Sequence, residues 1–291
     1  MIDTIVAILF NALSMGLIYG LIACGFSLIF RMTRVINFAA GDLAMLGGMI
    51  GYTLYVTMHL PFWLALFLSM LATGLFMVIM DRIALRPAYR RGVLAGVVST
   101  IGLSFVMQNG AQIIWGRGGF SFPSVFGNEV VEVGGIRLVP ERVAISLIGL
   151  AVTGILTYFL MRTKSGMAAR ATAGDRETAL LMGIDVGQMN SLSFFIAGAL
   201  GAIAGVLAAP VTFLTATMGL SLAVNGFVAA LVGGMGSLPG AIVGGIILSL
   251  VETAAGAYID ANYREGITFI ALIVVLLLRP RGIFGEVGGP T

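Results

Sequence analysis

Apolar runs close to 20 residues long recur from one end of the chain to the other, and a helix of that length crosses a hydrocarbon core of ~30 Å. Lipid offers no water to backbone N–H and C=O groups, so each run must satisfy its own backbone as a helix. Spans are expected at about 5–30, 37–58, 62–80, 93–114, 143–161, 190–214, 221–236, 240–258 and 266–278. The seventh is short and the ninth stops early at Arg279, so either could be re-entrant or strongly tilted, and the expected count is eight or nine. The fold class is therefore all-α, a polytopic membrane protein with short or broken segments, in one transmembrane domain over residues 1–291.

Charge supports this independently. The chain carries 16 basic and 13 acidic side chains, 29 in 291 residues, about forty fewer than the ~25% of an ordinary soluble domain. A soluble chain of this length would have to clothe its remaining surface in polar groups, and here 59% of residues are hydrophobic. The net charge of +3 then reads as loop topology rather than nucleic-acid binding. If sides alternate from an outside N-terminus, the inside loops hold Arg31, Arg34, Arg82, Arg86, Arg90, Arg91, Arg162, Lys164, Arg170, Arg176, Arg279 and Arg281. The outside loops hold only Arg117, Arg137, Arg142 and Arg264. This 12-to-4 division of the 16 basic residues favours an outside N-terminus, a cytoplasmic C-terminus and an odd number of crossings. Met1–Thr4 precede the first run without a positive region, so that run is expected to stay as a span rather than be cleaved. The single cysteine, Cys24, excludes a disulfide within the chain and reads as a small core residue.

Two loops are long enough to have structure. In the outside loop 115–142, Val130–Val133 and Ile136–Leu138 flank Gly134–Gly135, a pattern for a short hairpin forming an external platform. In the inside loop 162–189, Gly166–Ala173 is helix-forming and Gly174–Asp175 interrupts it. Asp175 is placed to cap a second short helix, Arg176–Met182, with Glu177 in its first turn, Gly183 as a left-handed stop and Ile184 folding back. This corner could be a protrusion that meets a partner or an interfacial anchor. Tyr55, Trp63, Trp115, Tyr258 and Tyr263 fall near outer span ends, as an aromatic belt requires. His59, the only histidine, sits beside Leu60–Pro61 in a short turn, with no second histidine to share a metal.

Ionisable residues inside spans come first as candidates for function, and two qualify, Asp42 and Glu252. Asp42 follows the polar start Asn37–Gly41 and either pairs with Arg34 or lines a polar path; Glu252 is a cavity residue or a hydrogen-bond acceptor for a neighbouring helix. The run Gly233–Gly240, with Pro239 inside it, joins two short apolar segments and implies a broken helix at membrane depth. It lacks the Gly-Lys-Ser/Thr of a phosphate loop. The small-residue faces Gly47/Gly51, Ala197/Gly201/Gly205 and Gly240/Gly244 fit close helix packing. No hydrolase, metalloprotease, dithiol or ATP-binding motif is present, so no catalytic or metal residue is proposed. What remains is a channel, a secondary transporter, or a membrane subunit driven by a separate ATPase.

The segments Thr33–Asp42, Arg86–Pro87 through Ser99–Leu103, Ala173–Ile184, Leu231–Ala241 and Arg279–Gly285 together resemble the LivH-type permease subunit of branched-chain amino acid ABC importers, over about residues 11–285. The resemblance implies an ABC importer permease fold of eight or nine helices in the bacterial plasma membrane. It also implies a LivM-like second permease, two cytoplasmic ATPases holding ATP and magnesium, and an extracytoplasmic binding protein, with no cofactor on this chain. It implies that Ala173, Gly174, Asp175, Glu177, Leu181, Met182 and Gly183 lie in a coupling loop against an ATPase. Asn37, Phe38, Asp42, Gly233, Gly234, Gly236 and Glu252 would lie along the substrate path. Family members often carry a histidine where this chain has Ala40, so no role of that imidazole transfers. Relatives also import urea, amides and other amino acids, which leaves the substrate open.

Overall fold

The computed structural model describes residues 2–127, 129–133, 136–258, 264–279 and 282–285. The Gly134–Gly135 turn, Tyr263 and Arg281 lie outside the described residues. Helix α1 (Ile2–Thr33) is followed by α2 (Ala40–Tyr52), which continues into a π-helical turn, Thr53–Thr57. Helix α3 (Phe62–Met80) runs through a second π turn, Asp81–Leu85, into α4 (Arg86–Tyr89), and α5 (Val93–Trp115) follows. A hairpin of β1 (Val131–Val133) and β2 (Ile136–Leu138) precedes α6 (Pro140–Arg162), α7 (Lys164–Gly174) and α8 (Arg176–Leu181). The chain ends with α9 (Val186–Ala208), α10 (Met218–Gly233), α11 (Leu238–Tyr258) and α12 (Arg264–Leu278).

Among the described residues, six helices are long and apolar enough to cross a membrane, and Met218–Gly233 and Gly266–Leu278 are shorter apolar helices. Helix α2 with its π turn occupies the second expected span. The hairpin pairs antiparallel in the register Val131–Leu138, Glu132–Arg137 and Val133–Ile136.

Helices α1 and α9 form the centre, buried along most of their apolar length, whereas α5 and α6 are mostly exposed. Apolar side chains gain nothing by leaving lipid for each other, so close approach of backbones must hold these helices together. Glycine supplies that approach: Gly16 and Gly20 of α1 face Ile246 and Ile242 of α11, and Gly47, Gly48 and Gly51 of α2 face Ala202, Gly205 and Val206 of α9. The small faces noted separately at Gly47/Gly51 and Gly201/Gly205 are thus two sides of one seam.

The third span runs nine residues beyond its expected end at Met80, as one 28-residue apolar helix, Phe62–Tyr89. Proline lacks an N–H, and its ring collides with the carbonyl four residues back; for Pro87 that is Ile83. The helix relieves the collision by widening one turn, and the Arg86 N–H reaches the Asp81 carbonyl, five residues back.

The bundle has two distinct ends. At one, Gly236 abuts Arg31 and Arg86 holds Gly187, which brings the α10–α11 turn to the end of α1 and α4 to the start of α9. At the other, Tyr52, Tyr55, Phe62, Trp63, Phe120, Phe122 and Phe126 form one aromatic cluster. There Trp115 Nε1 donates to Thr53 Oγ1 at 2.7 Å. Phe120 and Leu214 exchange backbone hydrogen bonds of 2.9 and 3.2 Å, so the 115–142 loop folds over the α9–α10 connection. Tyr258 is exposed at the end of α11.

Arg34 closes α1 with φ +57°, its N–H donating to the Phe30 carbonyl at 2.8 Å. A left-handed residue with a Cβ costs about 1 kcal/mol that glycine does not. Arg34→Gly is therefore expected to raise stability by about 1 kcal/mol, read as a higher Tm of the purified protein. A lower Tm would show that the guanidinium contributes more than the backbone conformation costs.

Candidate functional site

After Arg34 the chain turns back into the bundle, and α2 begins inside it rather than at its edge. The Phe38 ring lies 6.1 Å from that of Phe227, itself 5.8 Å from Phe26 on α1, and the Phe38 N–H donates to Thr100 Oγ1 at 3.3 Å. Asn37 is buried; its Oδ1 accepts the Ala39 N–H at 3.2 Å, while its Nδ2 is buried without a partner among the described residues. Asp42, 1% exposed, sits in the first turn of α2, where the helix dipole favours a carboxylate. Its oxygens accept Ser104 Oγ at 2.5 Å and Gln108 Nε2 at 3.0 Å, both from α5. The third wall is α10: a Cβ on Gly41 would lie 2.1 Å from the Gly219 carbonyl oxygen, so only glycine permits this contact.

The Asp42–Arg34 pairing weighed from sequence is not formed. Arg34 is exposed, and the donors come from α5 instead, which the sequence reading did not single out. A buried carboxylate needs such donors, and Ser104 and Gln108 stand four residues apart on one helix face. Gly219 lies fourteen residues from Gly233, about 21 Å along α10, so the cluster is deep in the bundle. A carboxylate between exchangeable hydroxyl and amide donors is chemically suited to a cationic group such as an ammonium.

The other path candidates fall elsewhere. Glu252 is buried and accepts Tyr19 Oη at 3.1 Å and Thr268 Oγ1 at 2.5 Å, tying α11 to α1 and α12. Gly233, Gly234 and Gly236 form the turn of a helical hairpin at the Arg31 end of the bundle, not a break partway along a helix. The last four carbonyls of any α-helix lack partners within it, and in α10 Gly234 takes two of them while residues some fifty positions later take the other two. The Gly234 N–H donates to Ala230 and Leu231, the Ile283 N–H to Val232 at 2.9 Å and the Phe284 N–H to Gly233 at 2.9 Å. Two glycine-rich motifs far apart in sequence thus meet, with Gly282 against Gly234.

Two further acids are buried among the described residues, Asp81 and Glu141, besides the Asp42 and Glu252 expected from sequence. Asp81, 1% exposed, accepts Arg86 Nη2 at 2.6 Å, and Arg86 Nη2 also donates to the Gly187 carbonyl at 3.0 Å and Ser191 Oγ at 2.9 Å on α9. The span expected over 62–80 stops one residue short of Asp81, and Pro87 is the sequence signal for the wider turn that carries the helix on. Glu141, also buried, accepts the Phe126 N–H at 2.9 Å and fastens the 115–142 loop to α6. Where α4 meets α9, Arg86 Nε, Tyr89 Oη and Asn190 Oδ1 are buried without a hydrogen-bond partner among the described residues, at a cost of about 1–3 kcal/mol each.

The α7–α8 corner has the local geometry its sequence implies. Asp175 Oδ1 accepts the Glu177 and Thr178 N–H groups at 2.9 and 3.1 Å, and Oδ2 accepts Thr178 Oγ1 at 2.6 Å. These bonds, the Thr178 hydroxyl first, hold the Asp175 carboxyl below its ordinary range. The cap is therefore present at neutral pH and lost as pH falls through that lowered value. Gly183 takes φ +79°, and the Ile184 N–H returns to the Ala179 carbonyl at 3.0 Å, closing α8 with a Schellman turn. Ala173, Gly174 and Glu177 flank the corner, while Leu180, Leu181 and Met182 are 56%, 87% and 78% exposed.

The family model described as branched-chain amino acid transport system / permease component matches residues 8–276. The high-affinity branched-chain amino acid transport system permease protein LivH of Escherichia coli (strain K12) is 30% identical, covering 96% of this chain and 94% of its own. The corresponding permease protein BraD of Pseudomonas aeruginosa is 32% identical, covering 96% and 95%. Among solved structures, PsaBC from Streptococcus pneumoniae in complex with Fab superposes with a TM-score of 0.50 at 13% identity, over 93% of this chain and 91% of that one. These matches span the bundle from α1 to α12, and the chain belongs to the branched-chain amino acid transport system permease family.

Proposed function

We propose that this chain is the membrane-spanning permease subunit of an ATP-driven importer for branched-chain or related amino acids. A LivM-like second permease completes the path, two cytoplasmic ATPases supply the drive and hold ATP and magnesium, and an extracytoplasmic binding protein delivers substrate. The N-terminus is outside and the C-terminus cytoplasmic, which puts the α7–α8 corner on the ATPase side and the 115–142 loop on the binding-protein side.

The observation that carries this reading is the corner itself. A short helix capped at both ends displays Leu180, Leu181 and Met182 to solvent, an arrangement with no packing role inside the chain and suited to an apolar groove on a partner. Closure of the ATPases on ATP would push this corner, and α9, which follows it directly, would carry the movement into the bundle. The test is reconstitution in liposomes: uptake is expected only with both permeases, ATPases, binding protein and ATP. Amino-acid flux through the chain alone would overturn the reading in favour of a stand-alone carrier.

In this mechanism Asp42 receives the substrate ammonium. Asp42→Asn removes the charge from a hydrogen bond worth about 1.5–3 kcal/mol, so uptake at low substrate concentration is expected to fall about 10- to 100-fold. Uptake equal to wild type at matched permease levels would take Asp42 off the path.

A further inference from the structure

We propose that Arg86 is a positioning residue that ties the register of α3 to the α7–α8 corner, through the π turn Asp81–Leu85. The proposal rests on the importer reading and adds the route by which the corner reaches the rest of the bundle.

The geometry begins with spacing. Residues advance about 100° each around an α-helix, so five residues separate Asp81 and Arg86 by about 140°, on different faces. Only a widened turn of five residues per hydrogen bond brings them onto one face, where Arg86 Nη2 meets Asp81 Oδ2 at 2.6 Å. The ion pair therefore exists in one register of α3 and breaks in the other. Pro87 holds the wide register, because closing it would drive the ring into the Ile83 carbonyl.

Arg86 does more than pair with Asp81. It grips Gly187 and Ser191, in the first two turns of α9, and α9 starts just past the corner with Asp185 as its cap, Oδ1 accepting the Gln188 N–H at 3.0 Å. On the same face, Asn190 is buried beside Ser191, and Phe194 stacks on Tyr89 with ring centroids 6.3 Å apart. A push on the corner that moves the start of α9 must act on Arg86, and through it on the pair that depends on the π turn.

The second observation is independent. Arg86 Nε and Tyr89 Oη are potential donors and Asn190 Oδ1 is an acceptor, all buried on this one seam and all unpaired among the described residues. Native structures seldom leave three such atoms together unsatisfied. A seam with a second arrangement, in which these atoms pair as the Asp81–Arg86 contact loosens, accounts for them. A π turn is the kind of local defect that allows such a shift without unfolding the helix.

The test uses the complete importer in liposomes, with ATP hydrolysis and amino-acid uptake measured on the same sample. Pro87→Ala frees α3 to close into the α register; it is expected to lower uptake per ATP at least tenfold, with hydrolysis within twofold of wild type. Arg86→Lys keeps the charge beside Asp81 but loses the planar reach to Gly187 and Ser191, and is expected to behave likewise. The paired neutral variant Asp81→Asn with Arg86→Gln keeps an amide contact across the turn and is expected to recover part of the coupling.

Wild-type coupling in both Pro87→Ala and Arg86→Lys would overturn the proposal. If the variants do not insert, spin labels at Ile79→Cys and Gln188→Cys in the otherwise wild-type importer decide it. Their separation is expected to change by more than the ~1.5 Å rise of one residue between ATP-free and ATP-trapped states, and an unchanged separation would overturn it. Failure of the unmodified importer to take up any amino acid would instead count against the importer reading itself.

Discussion

Gly183→Pro is expected to reduce uptake by at least tenfold while the permease still inserts and purifies in normal yield. Gly183 holds φ +79°, a conformation proline's ring forbids. Its N–H, which donates to the Leu180 carbonyl at 3.0 Å, would also be lost. Without the left-handed residue the chain cannot return Ile184 to Ala179, and a helix of six residues has no other source of stability. The apolar display of Leu181 and Met182 would then be scrambled. The damage stays local because, within α8, only Ala179 is buried. Paired measurement of uptake and of permease level in the membrane separates the two effects. Normal uptake would remove the corner from the coupling route, whereas loss of the protein would show that the corner supports the fold. Charge reversal at Glu177, in the first turn of the same helix, should act in the same direction but less strongly, through the helix dipole.

Gly205→Val should have the larger effect on the protein itself, leaving little folded permease. A Cβ on Gly205 would lie 1.8 Å from the Ala44 carbonyl oxygen and 2.6 Å from its carbonyl carbon, backbone atoms that cannot rotate away. Helices α2 and α9 would have to separate along the Gly47–Ala202 seam. Overpacking by side chains alone costs about 1–3 kcal/mol, and forcing two backbones apart exceeds that. Gly102→Val is the control: on an exposed face of α5 an added Cβ meets nothing within 4 Å. Fluorescence-detected gel filtration of tagged protein should show loss of the monodisperse peak for Gly205→Val and its retention for Gly102→Val. A normal peak for Gly205→Val would mean that this seam is looser than its contacts imply.

These two variants also mark where sequence reasoning reaches and where it stops. The Asp175 cap, the Gly183 stop and the return of Ile184 were legible because every partner lies within about six residues, and capping chemistry acts at that range. The all-helical class and the rough placement of the apolar helices were legible for a similar reason, since bilayer thickness sets helix length without reference to neighbouring helices, but six of the eight or nine expected spans are long and apolar enough to cross among the described residues. The end of the third span was misjudged because Pro87 acts back upon Ile83 and widens the helix instead of ending it. With the span drawn to Met80, Asp81 falls outside it, although it is buried and paired with Arg86.

Long-range partners were the larger gap. Asp42, an in-span acid by sequence, is buried, but its donors Ser104 and Gln108 lie more than sixty positions away. Arg34, the nearer cation, was the natural guess and stays exposed. The glycine run at Gly233–Gly236 looked like a mid-membrane break. Its place at the end of the bundle depends on Ile283 and Phe284 returning to cap α10, which no local pattern specifies.

By itself, then, the sequence determined an all-helical membrane bundle, the rough position of its apolar helices, its capped corner and the small-residue faces by which helices approach. Each follows from solvent, helix period or a hydrogen bond closed within a turn or two. Only the tertiary structure decided that Gly47 meets Ala202, that Asp42 is held by α5, that Glu252 ties α1 to α12, and that Arg86 joins α3 to α9. Those pairings depend on which helices become neighbours, and an apolar face in lipid has no intrinsic preference among them until backbone contact and buried hydrogen bonds select one.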